Sequence, residues 1–279
     1  MPRCSKLSFE LLHAFLLAYD DVMDRDELRR GGASLHVLAA REAVARGSSD
    51  AAHRGVAVTM LLGLLAQSMA FECLERAAAG AAARRWFDRV AEGVTLGQLL
   101  DVVAVDARDA GTAEIAAIHR LKTGLYTTEG PLVLGALLAG ARDDGPEVAA
   151  LRAWAGPVGE AFQLVDDILG IAGDPSETGK ASGGDLREGK RTAVIEEALV
   201  RLPASARTTL QGLIGRGLDD AETARGQMLI DESGAVEAVR HRARGLADEA
   251  RDALVGRSLT SSAVEALESL ACLVVDRQN

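Results

Sequence analysis

The chain has 279 residues, of which 48% are hydrophobic and only 3% aromatic, and its formal net charge is −10. Scarce aromatic residues favour close helix packing over a β-sandwich or barrel, and the negative charge argues against nonspecific nucleic-acid binding, which needs a basic face. The three cysteines are odd in number and lack metal-ligand spacing, so we expect ordinary thiols in a reducing, cytoplasmic compartment.

Helical periodicity runs along the whole sequence and no strand alternation persists, which predicts an all-α fold. The first helix is expected to begin near Ser8, a plausible N-cap, and to end at Gly31-Gly32. Further helices are predicted at about 34–46, 51–79, 83–92, 95–109, 112–139, 146–171, 190–201, 204–215, 219–229, 233–255 and 260–276. Because there is no linker or fixed-period repeat, residues 1–279 are expected to form one domain.

The longest apolar stretch, residues 55–74, raises the question of a membrane span. Gln67, Ser68 and Glu72 interrupt it, so its uninterrupted apolar core is too short to cross a bilayer. We therefore expect a buried helix here and no membrane span.

The first aspartate cluster follows several turns of apolar helix. Asp20 and Asp24 are four residues apart and lie on one helix face, with Asp21 close to Asp24. Carboxylates this close repel one another unless a cation lies between them, and Mg²⁺ takes oxygen ligands that it commonly shares with substrate phosphates. Arg29 and Arg30 follow the cluster and have the charge to hold those phosphates.

The second aspartate cluster has the same arrangement. Asp166 and Asp167 follow an apolar stem that contains Gln163, and Lys180 and Lys190 come after them. Two such clusters facing each other would clamp a diphosphate through bridging metal ions.

The positions of the other two Asp-Asp pairs are explained by the turn or helix start in which each lies. Residues 143–144 lie in a Gly-Pro turn and residues 219–220 at a predicted helix start. Aspartate normally lies on the surface. The clusters at 20 and 166 differ because each continues an apolar stripe, where unpaired charge would be costly.

These motifs resemble the trans-polyprenyl diphosphate synthases, the head-to-tail prenyltransferases of isoprenoid biosynthesis. The first aspartate-rich motif of that family is matched by Asp20-Asp21-x-x-Asp24 with Arg29-Arg30-Gly31. The second is matched by Gln163-x-x-Asp166-Asp167, with Thr178-Gly179-Lys180 and Gly189-Lys190-Arg191-Thr192. Between them, Gly97-Gln98-x-x-Asp101 and Lys122-Thr123-x-x-Tyr126 match two further family motifs. The resemblance extends from about residue 7 to the C-terminus.

The resemblance implies an isoprenoid synthase fold, in which antiparallel helices surround a central cavity, and a homodimeric prenyltransferase with about three Mg²⁺ ions per active site. The implied substrates are an allylic diphosphate and isopentenyl diphosphate. By matching position, the metal ligands would be Asp20, Asp21, Asp24 and Asp167, with Asp166 close by. Arg29, Lys122 and Lys180 would hold the allylic diphosphate, His13 and Arg30 the isopentenyl diphosphate. The reaction zone would be lined by Gln98, Thr123, Tyr126 and Gln163. Lys190 would also bind substrate.

The sequence departs from the family pattern in two places. Gly170 stands where many relatives carry a third aspartate. Only 19 residues precede Asp20, whereas family members carry additional helices there, including a Gly-Lys-x-x-Arg segment that binds isopentenyl diphosphate.

Three explanations of the short N-terminal segment stay open. The sequence is shortened or its start is misassigned, the protein is a terpene cyclase that uses one allylic diphosphate, or it is a subunit that relies on a partner. The first is favoured because His13 and Arg30 would serve an enzyme that still uses isopentenyl diphosphate.

The residues that precede Asp20 on the same face of its helix bear on the length of the product. Leu16 lies one turn and Leu12 two turns below Asp20, the latter about 12 Å away by helix rise. Phe15 is the bulky candidate for the floor of the cavity, with the smaller Leu16 beside it. In the family that the sequence resembles, an aromatic residue here is typical of short-chain synthases, which predicts a C15–C20 product, leaning to geranylgeranyl diphosphate. Alternatively, Phe15 is simply a core residue.

Overall fold

The computed structural model describes residues 2–104, 117–118, 120–173, 183–215, 217–257 and 259–277. Their regular secondary structure is helical apart from one two-stranded hairpin, so the all-α prediction is confirmed. The chain divides into two compact units, Met1–Arg85 and Trp86–Asn279. The expectation of a single domain stays a prediction.

The first unit contains α1 (Pro2–Met23), β1 (Leu28–Arg29), β2 (Gly32–Ala33), α2 (Leu35–Ala45), α3 (Ala51–Arg76) and the start of α4 (Ala81–Ala104). Because α1 begins at Pro2, the prediction that Ser8 caps its N-terminus is wrong. Ser8 instead lies buried inside the helix, where a small side chain is easily accommodated.

The hairpin formed by β1 and β2 was not predicted. Its two strands pair antiparallel, and the turn residues Arg30 and Gly31 have φ angles of 52° and 74°. Two successive residues with positive φ form the tight turn whose twist suits antiparallel strands. The hairpin turns the chain back just after α1 and fixes the position of Arg29.

Helix α3 is buried on one face only. That face packs against α1 and α2, and it includes Gly63 and Cys73. The opposite face exposes large apolar side chains such as Leu61 and Leu65, so the expectation of a buried helix is only partly right. Within the described residues, α3 is the one helix long and apolar enough to cross a membrane. One such helix is weak evidence, and the absence of a span stays a prediction.

The second unit contains the rest of α4 and a π-helix (Arg120–Glu129), followed by eight α-helices in the described residues. These are α5 (Gly130–Leu138), α6 (Pro146–Ala172), α7 (Gly184–Glu188), α8 (Ala193–Arg201), α9 (Ala204–Leu213), α10 (Asp220–Glu232), α11 (Ala235–Leu254) and α12 (Ser261–Val275). Helix α6 is central, because its apolar face packs against the π-helix, α8, α11 and α12. The predicted break between 92 and 95 does not occur, since α4 is continuous there.

Candidate active site

The first aspartate motif lies where α1 ends. The backbone N–H groups of Asp24 and Asp26 donate to the carbonyl oxygens of Asp20 and Asp21, at 2.8 and 2.9 Å. Arg25, with φ of 57°, then turns the chain away from the helix. The carboxylates therefore gather at the C-terminal end of α1, where the helix dipole does not favour negative charge. A cation is needed to balance them.

Arg29 supplies that cation from the hairpin. Its Nε donates to Asp21 Oδ1 at 2.7 Å, and its Nη2 donates to the same oxygen. Nη2 also lies 3.5 Å from Asp20 Oδ2 and 3.6 Å from Asp26 Oδ2. Asp21 is almost fully buried, so the guanidinium offsets the cost of its charge. The structure thus brings together the predicted metal ligands Asp20 and Asp21 and the predicted phosphate ligand Arg29.

The other predicted residues of the first unit lie on α1 and in the hairpin turn. His13 is partly buried and Arg30 is exposed. Burial, and next the positive charge of Arg30, lower the pKa of His13. These two proposed contacts for the second substrate are therefore close enough to interact electrostatically. Phe15 is buried and Leu16 partly buried.

A hydrogen-bonded chain in the second unit links three predicted residues. Thr123 Oγ1 donates to Gln163 Oε1 at 2.8 Å, and Gln163 Nε2 donates to Asp167 Oδ1 at 2.9 Å. The other oxygen of Asp167 accepts from the backbone N–H of Ala193 at 2.8 Å. Gln163 and Asp167 are one helical turn apart on α6, which explains why they meet. The N–H of Ala193 is available because it begins α8.

Asp167 is a buried carboxylate with an altered proton affinity. Burial raises its pKa to about 7, and the negative charges of Asp166 and Asp101 add to the shift. The hydrogen bonds from Gln163 and Ala193 oppose it. A bound cation would stabilise the charged carboxylate.

The sequence predicts no role for Asp101, although this residue belongs to the Gly97-Gln98-x-x-Asp101 motif. Its Oδ2 accepts from Lys122 Nζ at 2.6 Å, and both side chains are partly buried. The carboxylate of Asp101, on α4, thus holds Lys122 in place. The next residue, Thr123, contacts Gln163 on α6. The only sequence signal was the placement of Asp101 three residues after Gln98.

A second residue that sequence reasoning missed is Arg277. Its guanidinium pairs with Asp166 Oδ1, and Arg277 Cζ lies 4.1 Å from the centroid of the Phe162 ring. A guanidinium over an aromatic face is an attractive contact. Because 111 residues separate the two partners, no local pattern could have predicted the pair.

Partial burial is shared by three more of the predicted site residues, Gln98, Tyr126 and Asp24. Lys190 Nζ lies 2.7 Å from Glu188 Oε2. Lys180 lies outside the described residues, so its predicted role is not tested.

The donor chemistry of the acidic residues suits Mg²⁺, which prefers carboxylate oxygens and shares its coordination with phosphates. Among the described residues, no three carboxylate, imidazole or thiol side chains are gathered closely enough to hold a metal by themselves. In the first motif, Arg29 lies between the carboxylates. The residues therefore fit a metal ion whose other ligands come from a substrate.

Comparison with known proteins gives consistent matches. The sequence profile of the family described as "Polyprenyl synthetase" matches residues 4–229. The chain is 34% identical to the geranylfarnesyl diphosphate synthase of Aeropyrum pernix, covering 88% of this chain and 73% of the relative. It is 30% identical to the short chain isoprenyl diphosphate synthase of Methanothermobacter thermautotrophicus, covering 98% and 78%.

A solved structure is similar as well. The geranylgeranyl pyrophosphate synthase from Corynebacterium glutamicum, crystallised with isoprenyl diphosphate and magnesium, matches with a TM-score of 0.92 and 31% identity. The match covers 98% of this chain and 78% of that one.

Proposed function

This chain belongs to the polyprenyl synthetase family, and from that membership we propose that it is a trans-prenyltransferase that condenses isopentenyl diphosphate with an allylic diphosphate. The product is a short-chain polyprenyl diphosphate. The observation that carries the proposal is the family match over residues 4–229, because this range contains both acidic motifs. The two relatives described above are named as a geranylfarnesyl diphosphate synthase and a short chain isoprenyl diphosphate synthase, which supports the substrate class.

We assign Mg²⁺ to the two acidic motifs. Asp20, Asp21 and Asp24 would hold it in the first motif, and Asp167, with Asp166 beside it, in the second. When bound, Mg²⁺ neutralises the charge that develops on a departing diphosphate and so favours ionisation of the allylic carbon–oxygen bond.

The protein's own cations would contribute to diphosphate binding. The guanidinium of Arg29 offers planar, paired N–H donors that suit phosphate oxygens, and its present partner Asp21 would turn to the metal. Lys122 provides a compact charge that Asp101 orients at 2.6 Å. His13 and Arg30 would contact isopentenyl diphosphate, as the resemblance implies.

Thr123 and Gln163 would stabilise the allylic carbocation. The hydrogen bond between Thr123 Oγ1 and Gln163 Oε1 fixes both oxygen dipoles, and the bond from Gln163 to Asp167 fixes the amide in turn. Oxygen dipoles that are already oriented need no reorganisation when positive charge develops. The double bond of isopentenyl diphosphate attacks the cation, and the released diphosphate accepts the proton that is lost.

The assay that tests this function uses purified protein with Mg²⁺, isopentenyl diphosphate and an allylic diphosphate. We expect a longer diphosphate product, and its formation should stop when EDTA removes Mg²⁺. Release of a hydrocarbon or alcohol from the allylic diphosphate alone would instead indicate a terpene cyclase. Activity only after mixing with a full-length relative would indicate a partner subunit. Size-exclusion chromatography with light scattering would test the expected homodimer.

Product length gives a further prediction. Phe15 packs against Tyr19, with ring centroids 4.6 Å apart, and is 8% exposed. If Phe15 limits the growing chain, Phe15→Ala should yield products longer by at least one isoprene unit, analysed by chromatography after dephosphorylation. Phe9→Ala on the same helix is the matched control. If Phe15 is only a core residue, the product stays unchanged while the free energy of unfolding falls by about 3–5 kcal/mol.

A further inference from the structure

The π-helix and helix α6 approach each other closely at a pair of glycines. Gly124 of the π-helix and Gly159 of α6 are both buried. A Cβ built on Gly159 would lie 2.8 Å from Gly124 Cα, well inside the roughly 3.5–4.0 Å at which non-bonded carbon atoms pack. The absence of a side chain at position 159 therefore sets how closely the two backbones can approach.

Two hydrogen bonds flank this contact along α6. One turn before Gly159, the carbonyl oxygen of Ala155 accepts from Thr128 Oγ1 at 3.1 Å. One turn after it, Gln163 Oε1 accepts from Thr123 Oγ1 at 2.8 Å. Positions 155, 159 and 163 are spaced four apart, so they form one row on the surface of α6. The π-helix is thus attached to α6 along a single row that has Gly159 at its centre.

Thr123 depends more on the separation of the two helices than its neighbour Lys122 does. The hydroxyl of Thr123 is attached directly to Cβ, so no change of rotamer can restore its hydrogen bond to Gln163 if the backbone moves away. Lys122 has a long, flexible side chain, and Asp101 of α4 holds its Nζ at 2.6 Å. Lys122 can therefore keep its place through a small backbone shift that Thr123 cannot follow.

We propose that Gly159 is a positioning residue for prenyl transfer, because its lack of a side chain lets the π-helix lie close enough to α6 for Thr123 to bind Gln163. This inference rests on the proposed function, in which the oriented oxygens of Thr123 and Gln163 stabilise the allylic cation. Gly159 acts through the separation of two backbones, without touching the substrate. Its effect should therefore appear in the rate of the chemical step and not in substrate binding.

The first experiment adds one methyl group at this contact. In Gly159→Ala the new Cβ would also lie 3.0 Å from Thr128 Oγ1, so the π-helix has to move away from α6. We expect kcat to fall by about 10- to 100-fold, because a displacement of about 1 Å in a catalytic group costs about 100-fold in rate. The KM for each diphosphate should change by less than about threefold, as expected when only transition-state stabilisation is lost.

Gly245→Ala is the matched control for this experiment. Gly245 is an exposed residue of α11, and a Cβ there would meet nothing within 4 Å. The control should keep the wild-type kcat and KM. A Gly159→Ala protein with wild-type kcat, or with a loss confined to KM, would overturn the inference.

A double-mutant cycle separates the positioning of Thr123 from general destabilisation. Thr123→Val removes the hydroxyl and should lower kcat in the wild-type background. In the Gly159→Ala background the hydrogen bond to Gln163 is already lost, so the same change should lower kcat by less than about threefold. Independent effects multiply, and full multiplication of the two losses would refute the role of Gly159.

Thr128→Ala disturbs the same contact without adding atoms, so it carries the test if Gly159→Ala does not fold. It removes the hydroxyl that donates to Ala155 and leaves the π-helix less firmly held against α6. We expect a lower kcat with little change in KM, and again a loss that does not multiply with that of Thr123→Val. Full multiplication here would count against the inference in the same way.

Hydrogen–deuterium exchange gives a readout that does not depend on turnover. Peptides that cover residues 120–129 should exchange faster in Gly159→Ala than in the wild type, while peptides that cover α9 should not change. Unchanged exchange at 120–129 would show that the π-helix has not moved, which contradicts the inference. Wild-type protein that transfers no prenyl group would instead overturn the proposed function, whatever the exchange shows. Active wild-type protein with multiplicative losses in the cycle overturns the role of Gly159 alone.

Discussion

Asp20→Ala should lower kcat/KM for prenyl transfer by about 100- to 1,000-fold, the loss typical when one charge-stabilising group is removed from an active site. The carboxylate of Asp20 would supply oxygen ligands to Mg²⁺. Its removal also leaves Arg29, 3.5 Å away, more firmly committed to Asp21. Both effects lower the affinity for a metal-bound diphosphate.

The measurement is steady-state kinetics with both substrates, accompanied by thermal unfolding. Glu10→Ala is the control, because Glu10 is an exposed carboxylate on the same helix. The unfolding temperature of Asp20→Ala should stay near that of the wild type, since Asp20 is not part of the core. Unchanged kcat/KM in the Asp20→Ala protein would contradict the assignment of the first motif.

Gly97→Ala should both destabilise the protein and impair catalysis. Gly97 is buried where α4 crosses the π-helix, and a Cβ there would lie 2.8 Å from Leu121 C and 2.8 Å from Lys122 Cα. These are backbone atoms, so the clash can be relieved only by moving one helix. Overpacking of this kind typically costs about 1–3 kcal/mol. The displaced segment carries Lys122 and Thr123, and a shift of about 1 Å in catalytic groups can cost about 100-fold in rate.

Gly135→Ala is the matched control. Gly135 lies in helix α5, and a Cβ there would meet nothing within 4 Å. Alanine is favoured over glycine in a helix, so this variant should gain about 0.5–1 kcal/mol. Urea unfolding and single-turnover kinetics would compare the two proteins. A Gly97→Ala protein with wild-type stability and rate would show that the helix contact is looser than the structure indicates.

The helical fold could be predicted because its signals are local, whereas the roles of the site residues stay predictions from the family resemblance. Apolar periodicity identified the helices, and the spacing of Asp20, Asp21 and Asp24 placed three carboxylates on one turn. Thr123 belongs to one motif and Gln163 and Asp167 to another, and the structure joins the three residues into one hydrogen-bonded chain.

The errors and omissions have physical causes. The N-cap preference of serine led to a helix start at Ser8, but tertiary packing accommodates Ser8 in the middle of α1. The hairpin was missed because its strands are only two residues long and show no alternation. The π-helix was missed because its residues have ordinary helical propensity, so only the backbone hydrogen-bond pattern distinguishes it.

Contacts between residues far apart in the sequence could not be predicted, for a different reason. Asp185 lies where a side chain at position 170 would be, and Arg277 reaches Asp166 across 111 residues. No spacing rule relates such positions. They depend on how the helices of the second unit pack.

The ion pair between Arg277 and Asp166 has a practical consequence for anyone who prepares this enzyme. A purification tag fused directly after Arg277, or the removal of that residue, would act directly on a neighbour of the second acidic motif. Preparations should therefore be checked by intact mass spectrometry before their turnover numbers are compared.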